Sequence, residues 1–182
     1  MFKLSALFAV LSGPALAAGL VIEIAGEQSK GTVTIDLFEQ IAPQHVERLT
    51  TLASAGGYDD VVFHRVIEGF MAQTGDVEFG KAGSNISMAG RGGSDLPDLP
   101  AEFSDTPYDR GVIGMARAQN PNSANSQFFI MFAEGYFLNG QYTVVGKVTD
   151  GMDVVDAIKL GKGANGAVLG IPDRMSKVTV TD

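Results

Sequence analysis

Alternation of apolar and polar residues is clearest near the start of the chain. In the segment 31–37, every second residue is apolar, which places Val33, Ile35 and Leu37 on one face of a strand. The segment 20–24 (LVIEI) is a second strand-like run, and the stretch between the two is polar and turn-like. The pattern therefore predicts a β-hairpin.

Two segments have the residue spacing of amphipathic helices. The first begins at Pro43, since proline is tolerated at the first helical position, and is predicted to stop at Gly56. The second runs from Met152 to Leu160 and carries Asp153 near its positive N-terminal end. The apolar stripes that support these helices are Val46, Leu49, Leu52 and Ala53 in the first, and Met152, Val155 and Ile158 in the second.

The rest of the chain consists mainly of short strand-like runs. Residues 80–110 are rich in Gly, Pro, Asp and Ser without a clear period, which predicts a long surface excursion. Many short strands with two distant helices favour a mostly β, antiparallel sheet or barrel, and 182 residues without a repeat or linker fit one domain. The remaining predicted strands are 61–67, 70–74, 111–116, 127–132, 142–148 and 176–181.

The first residues have the order of a secretory signal peptide. Lys3 is followed by the apolar run 4–11 and then by the small-residue cleavage site Ala15-Leu16-Ala17. A buried first strand or helix is the alternative. The apolar run is shorter than the roughly 20 residues that a transmembrane helix needs, so a soluble protein without membrane insertion is expected. Cleavage after Ala17 would leave a signal peptide at 1–17 and a mature domain at 18–182.

Composition narrows the classes of partner and of chemistry. The formal net charge is -8, and the chain has no run of Lys or Arg, which argues against binding to nucleic acid or to anionic membranes. Cysteine is absent, so disulfides, thiol nucleophiles and thiolate metal sites are excluded.

The usual catalytic groups are also difficult to find. His45 is predicted to be exposed on a surface helix, and His64 has no acidic pair or second histidine nearby in sequence, so neither a metal nor a cofactor is expected. The carboxylates form no distinctive pair and are predicted to be solvated. No serine lies in a G-x-S-x-G turn and no nucleotide-binding glycine motif is present, although composition alone leaves a Ser-His-Asp triad open.

One strand-like segment carries an unusual arginine. By strand alternation, Phe63, Arg65 and Ile67 share a face, and several aromatic and Met residues follow. These residues suit an apolar pocket with one fixed cationic donor. The alternative is that the aromatic residues are ordinary core and that Arg65 lies on the surface. Residue pattern alone favours this alternative.

Three segments resemble the motifs of the cyclophilins, a family of peptidyl-prolyl cis/trans isomerases. The longest is FHRVIEGFMAQTGD at 63–76. GVIGMAR at 111–117, followed by PNSANSQFFI at 121–130, is similar to a second family segment in its bacterial form, and LNGQYTVVG at 138–146 is similar to a third. The resemblance extends from about residue 20 to the end of the chain. It implies an eight-stranded antiparallel β-barrel capped by two α-helices.

The resemblance also implies roles for individual residues. Arg65 corresponds to the catalytic arginine, and Gln73 to a polar residue that assists Arg65 and the substrate carbonyl. The implied substrate-binding residues are Phe70, Met71, Phe129 and Leu138 around the proline ring, Phe137 and Tyr142 beside them, Gln127 in a neighbouring pocket, and Ala116, Arg117 and Ala118 along the edge that pairs with the substrate chain.

The sequence departs from the family pattern at several positions. Phe137 stands where many eukaryotic members have a tryptophan that helps to hold the drug cyclosporin, so weak cyclosporin binding is expected. Arg117 replaces a common asparagine, Thr74 a usual glycine and Val145 a usual phenylalanine. The 81–110 region matches the family least, so the preference for residues around the proline is not predicted.

The missing acid, base and nucleophile are consistent with this function. Rotation about an X-Pro bond breaks no bond and moves no proton, and it is slow because the C–N bond has partial double-bond character. The expected protein is a periplasmic prolyl isomerase, a monomer that assists the folding of proline-containing exported polypeptides. The alternative is a proline-peptide binding module or holdase chaperone on the same fold, with little turnover.

Overall fold

A computed structural model describes residues 18–181, and the predicted signal peptide at 1–17 lies outside the described residues. Nine strands and two α-helices are present in the described part. The strands are β1 (Gly19–Ala25), β2 (Lys30–Leu37), β3 (Val61–Val62), β4 (Arg65–Ile67), β5 (Met71–Thr74), β6 (Val112–Met115), β7 (Phe128–Met131), β8 (Val144–Asp150) and β9 (Arg174–Thr181). The helices are α1 (Pro43–Ser54) and α2 (Met152–Asp156).

The strands form one curled antiparallel sheet with the order β3-β9-β1-β2-β8-β6-β7-β5-β4. The prediction of a mostly β, antiparallel fold with two helices is confirmed. The predicted hairpin is β1 paired with β2, in which Ile22 lies opposite Val33.

The implied count of eight strands differs from the nine observed between residues 18 and 181, because the predicted strand 61–67 is broken. Its first part, β3, pairs with β9, and its second part, β4, pairs with β5 at the other edge of the sheet. Only Phe63 and His64 separate them, so the chain itself connects the two sheet edges. The break also makes one prediction wrong: Phe63 is buried in the main core with Val66 and does not share a face with Arg65.

Helix α1 ends in a Schellman motif, which explains the role of the two glycines after it. Gly56 has a φ of 69°, its N–H donates to the Ala53 carbonyl, and the Gly57 N–H donates to the Leu52 carbonyl at 2.7 Å. The predicted apolar stripe of α1 is buried in the main core. Complete burial of a side chain such as Leu49 contributes about 1.5–3 kcal/mol.

Helix α2 is shorter than predicted and ends at Asp156. The Lys159 amide donates to the buried Asp173 carboxylate at 2.9 Å, which turns the chain away from the helix axis. Val155 and Ile158 are nevertheless buried on one side, as the spacing predicts.

The prediction that His45 is exposed is wrong. Its side chain is completely buried, and its Nδ1 lies 2.6 Å from an oxygen of Glu102. The same carboxylate accepts hydrogen bonds from the backbone amides of Gln44 and His45, in the first turn of α1. Glu102 therefore caps a helix whose own preceding residue, Ala42, makes no side-chain cap. These hydrogen bonds of Glu102 thus attach the 80–110 segment to the start of α1.

The Glu102 contacts predict a pH-dependent stability. Burial raises the pKa of the Glu102 carboxyl, but the hydrogen bonds from His45 and Gln44 outweigh it and hold the pKa below its ordinary value of 4.5. Because the pKa of Glu102 is lower in the folded state than in the unfolded state, its ionised carboxylate stabilises the fold above pH 4.5. This stabilisation is lost as the pH falls through the folded-state pKa. We expect Glu102→Gln to lower the urea midpoint at neutral pH and to approach wild type in more acidic buffers.

Glu47→Gln is the matched control, because Glu47 lies on the exposed face of the same helix. It should leave the urea midpoint nearly unchanged at each pH. A Glu102→Gln deficit that stays constant from neutral pH to about pH 3 would argue against an ionised cap.

Candidate active site

Three neighbouring strands bring the predicted catalytic residues into one row. Arg65 on β4 lies directly opposite Gln73 on β5, and Gln73 lies opposite Phe129 on β7. Residues opposite each other in adjacent strands project from the same face of a sheet. The antiparallel register therefore places a cation, an amide and an aromatic ring side by side.

A cavity of about 230 Å³ opens beside this row. Met71 and Phe129 are buried at its floor, and Leu138 reaches it from the 3-10 turn Tyr136–Leu138. The rings of Phe70 and Phe137 lie 5.5 Å apart at its rim. The lining consists of Arg65, Phe70, Met71, Gln73, Ala116, Arg117, Phe129, Phe137, Leu138 and Tyr142. All predicted site residues except Ala118 and Gln127 thus share one cavity.

Two residues that the sequence reasoning missed support the floor. The ring of Tyr108 is completely buried and stacks on Phe129 with centroids 5.8 Å apart. Burial raises the pKa of the Tyr108 hydroxyl, which therefore stays neutral. At Gly114 on β6, a Cβ atom would lie only 2.5 Å from the Phe129 ring. A glycine inside a strand indicates such a close approach, so Gly114 is the sequence signal for this contact.

The Arg65 side chain is half-buried and held on three sides. Its Nη1 donates to Gln73 Oε1 at 3.1 Å, its Nε to the Asn165 carbonyl at 3.0 Å, and its Nη2 to Asn165 Oδ1 at 3.2 Å. Burial lowers the pKa of the guanidinium from its ordinary value, yet an arginine of this kind remains charged at neutral pH. Asn165 is a further residue that the sequence reasoning missed.

A guanidinium has five N–H donors, and these contacts leave two of them without an oxygen acceptor among residues 18–181. One of the two is on Nη1, which lies 3.9 Å from the sulfur of Met71 at the cavity floor. The site therefore offers a charged hydrogen-bond donor at the wall of an apolar pocket.

A second cavity, of about 470 Å³, adjoins the first and shares Gln73, Ala116 and Arg117 with it. The two predicted residues that are missing from the first cavity, Ala118 and Gln127, line this one. Gln73 donates to Gln127 at 3.0 Å, so the amides connect Arg65 with the neighbouring cavity.

The Arg117 side chain forms the partition between the cavities. Its guanidinium carbon lies 4.3 Å from the centroid of the Tyr142 ring, and it donates to the Gln141 carbonyl at 2.9 Å. Such a cation–π contact orders the aromatic ring. The side chain of Arg117 thus supports the rim of the first cavity, in addition to the backbone role that the family resemblance implies.

Asp76 contradicts the prediction that the carboxylates are solvated. It is completely buried, and its two oxygens accept hydrogen bonds from four backbone amides. Two of these amides, from Gly90 and Gly92, belong to the loop that walls the second cavity. Asp173, 2% exposed, is a second buried carboxylate.

Neighbouring groups suited to metal binding are absent from the described part of the chain. His64 is mostly buried and burial lowers the pKa of its imidazole, which is therefore neutral at neutral pH. None of the helices between residues 18 and 181 is long and apolar enough to cross a membrane.

Comparison with known proteins agrees with this geometry. A family model described as cyclophilin type peptidyl-prolyl cis-trans isomerase/CLD matches residues 21–180. The chain belongs to the cyclophilin family. A cyclophilin of this kind is a peptidyl-prolyl cis-trans isomerase, and the predicted activity is confirmed at that level. A Brucella suis protein named "Probable peptidyl-prolyl cis-trans isomerase" is 57% identical over 152 residues, which cover 82% of this chain and 78% of that protein.

More distant relatives share both sequence and fold with this cyclophilin. The Aspergillus oryzae protein "Peptidyl-prolyl cis-trans isomerase-like 1" is 34% identical over 79% of this chain and 85% of its own length. A crystal structure of a cyclophilin from Hirschia baltica has 26% identity and a TM-score of 0.71, covering 88% of this chain and 73% of that one. A Cryptosporidium parvum cyclophilin, solved in the presence of the dipeptide Ala-Pro, has 25% identity and a TM-score of 0.74, covering 90% and 99%.

Proposed function

We propose that this cyclophilin rotates X-Pro bonds of exported polypeptides in the periplasm, with the proline ring in the apolar cavity and Arg65 as the catalytic residue. The observation that carries the proposal is the fixed Arg65 guanidinium. Its Nη1 keeps one N–H without an oxygen acceptor among residues 18–181, at a pocket lined by Met71 and Phe129. A binding module would not need such a group.

The chemistry of rotation explains the need for a donor. In the planar peptide, the prolyl nitrogen shares its electron pair with the carbonyl and accepts no hydrogen bond. In the twisted state the nitrogen becomes pyramidal and gains a lone pair. A donor from Arg65 that bonds only this state lowers the barrier without strengthening ground-state binding. The guanidinium keeps its charge and planar geometry throughout.

The other residues hold the substrate in place. Phe129, Met71 and Leu138 exclude water from the ring, while Gln73 holds Arg65 through its side-chain oxygen and lines the same cavity. The cavity that contains Ala118 and Gln127 would receive residues next to the X-Pro pair. The Ala-Pro dipeptide used with the Cryptosporidium parvum cyclophilin is consistent with this class of ligand.

The N-terminal sequence supports export and exported substrates. Residues 1–17 have the order of a signal peptide, so the mature chain would begin at Ala18 and meet newly exported, incompletely folded polypeptides. Expression of the full chain in a Gram-negative host, followed by fractionation and N-terminal sequencing, tests this. A periplasmic product that begins at Ala18 supports the proposal, and an uncut cytoplasmic product would contradict it.

A protein substrate tests the proposed role in folding. Residues 18–182 should accelerate the slow refolding phase of a protein limited by prolyl isomerisation, which lasts tens to hundreds of seconds when uncatalysed. If the slow phase keeps its rate while the protein still binds the refolding chain, the holdase alternative is favoured.

The exposed rim residue Phe137 predicts weak cyclosporin binding. Phenylalanine lacks the indole N–H that tryptophan would offer at this position, and its ring is 66% exposed. We expect isothermal titration to give a dissociation constant well above the nanomolar range for wild type and tighter binding for Phe137→Trp. A nanomolar value for wild type would refute this expectation.

A further inference from the structure

Asn165 has a backbone conformation that is unusual for a residue other than glycine. It lies in the 3-10 turn Ala164–Gly166 with φ 53° and ψ 32°, in the left-handed region. Asparagine tolerates this region better than most residues, but glycine adopts it at lower cost. Gly163 precedes the turn and Gly166 ends it, so glycine is already used on both sides of Asn165, and the presence of an asparagine there indicates a role for its side chain.

The left-handed conformation lets one residue present two acceptors to one guanidinium. The Asn165 carbonyl accepts from Arg65 Nε at 3.0 Å, and the Asn165 side-chain oxygen accepts from Arg65 Nη2 at 3.2 Å. Gln73 holds the third nitrogen, Nη1. All three nitrogens of the guanidinium are therefore engaged, which fixes the plane of the group. Among residues 18–181, the second N–H of Nη1 then faces only the Met71 sulfur at the cavity floor.

The turn is fastened to the strand that carries Arg65. The Gly161 amide donates to the Val66 carbonyl at 2.9 Å, and the Val168 amide to the His64 carbonyl at 3.0 Å. A Cβ at Gly161 would lie 1.9 Å from the Gly166 carbonyl, so the turn closes tightly on itself. The segment thus keeps Asn165 at a constant position relative to β4.

We propose that Asn165 is a positioning residue for the isomerase reaction, which acts through the orientation of Arg65. This inference rests on the proposed catalytic role of Arg65. Without the Asn165 side-chain oxygen, Nη2 loses its acceptor and the guanidinium gains freedom to turn about its stem. The free donor then spends less time at the prolyl nitrogen, while the apolar walls that bind the ring are unchanged.

The test compares two substitutions that keep the backbone geometry. Asn165→Gly retains the left-handed conformation and the carbonyl acceptor but removes the side-chain oxygen. Asn165→Asp retains an acceptor at the same place. We expect kcat to fall about 10-fold in Asn165→Gly with KM within about twofold of wild type, and kcat in Asn165→Asp to stay within about threefold of wild type.

Asp60→Gly is the matched control, because Asp60 is also a left-handed residue (φ 60°) whose side chain accepts a hydrogen bond from an arginine, Arg174, away from the site. It should leave kcat unchanged. Wild-type kcat in Asn165→Gly, or an equal loss in Asn165→Asp, would overturn the inference. Arg65→Ala distinguishes a failure of the positioning role from a failure of the proposed mechanism. If Arg65→Ala is inactive and Asn165→Gly is fully active, only the positioning role of Asn165 is wrong. If Arg65→Ala is active, the proposed catalytic role of Arg65 is wrong.

Discussion

Replacing Arg65 with alanine is expected to lower kcat/KM for an X-Pro peptide by about 100- to 1,000-fold, the range found when one preorganised transition-state donor is removed. The loss should fall on kcat, because Arg65 is proposed to bond the twisted state and the cavity walls that bind the proline ring remain. A protease-coupled assay, in which only the trans peptide is cleaved, measures both constants.

Two further variants sharpen the test. Arg65→Lys keeps a positive charge but lacks the planar fork that Gln73 and Asn165 hold, so an intermediate rate is expected. Arg174→Ala removes a half-exposed arginine outside the site and should leave kcat/KM at the wild-type value. Full activity in Arg65→Ala would show that the mechanism is wrong even if the isomerase activity is real.

The second large effect is expected for Asp76→Asn, in stability. An asparagine has one acceptor oxygen and would turn an NH₂ group toward two of the four backbone amides that Asp76 now satisfies. Because the site is completely buried, no water replaces the lost bonds. We expect the free energy of unfolding to fall by about 3–5 kcal/mol, measured by urea denaturation.

The same substitution should loosen the wall of the second cavity more than the proline pocket. Gly90 and Gly92 depend on the Asp76 carboxylate for their acceptor, whereas Phe129 and Met71 make no contact with it and keep their packing. Activity should therefore fall more for long peptides than for a short X-Pro peptide. Asp105→Asn, at an exposed carboxylate, is the control, and equal urea midpoints for the two variants would disprove the role of Asp76.

Local pattern was enough for the elements whose partners are close in the chain. The alternation that ends at Leu37 predicts the β1–β2 hairpin, and the stripe through Leu49 with Gly56 at its end predicts α1, because both depend on contacts within one segment. The pocket residues were assigned by resemblance to cyclophilin motifs. Residue pattern alone favours a surface position for Arg65, and only the resemblance assigns it to a site.

The predictions that the structure contradicts share one physical cause: each depends on a partner that is distant in sequence. His45 is buried because Glu102 reaches it from the 80–110 excursion, and Asp76 is buried because amides of the Gly90 loop bond to it. The predicted strand 61–67 is broken at Phe63 and His64 because its first part, β3, pairs with β9, whereas its second part, β4, pairs with β5. No periodicity within a single segment contains this information.

The most direct test of catalysis by Arg65 is NMR exchange spectroscopy on a peptide that contains Ala-Pro, with residues 18–182 at a small fraction of the peptide concentration. Wild type is predicted to produce exchange between the cis and trans signals on a timescale far below the uncatalysed tens of seconds. Arg65→Ala should still bind the peptide, with a dissociation constant within about threefold of wild type, and show no such exchange. Binding without exchange by wild type, or undiminished exchange in Arg65→Ala, would contradict the account.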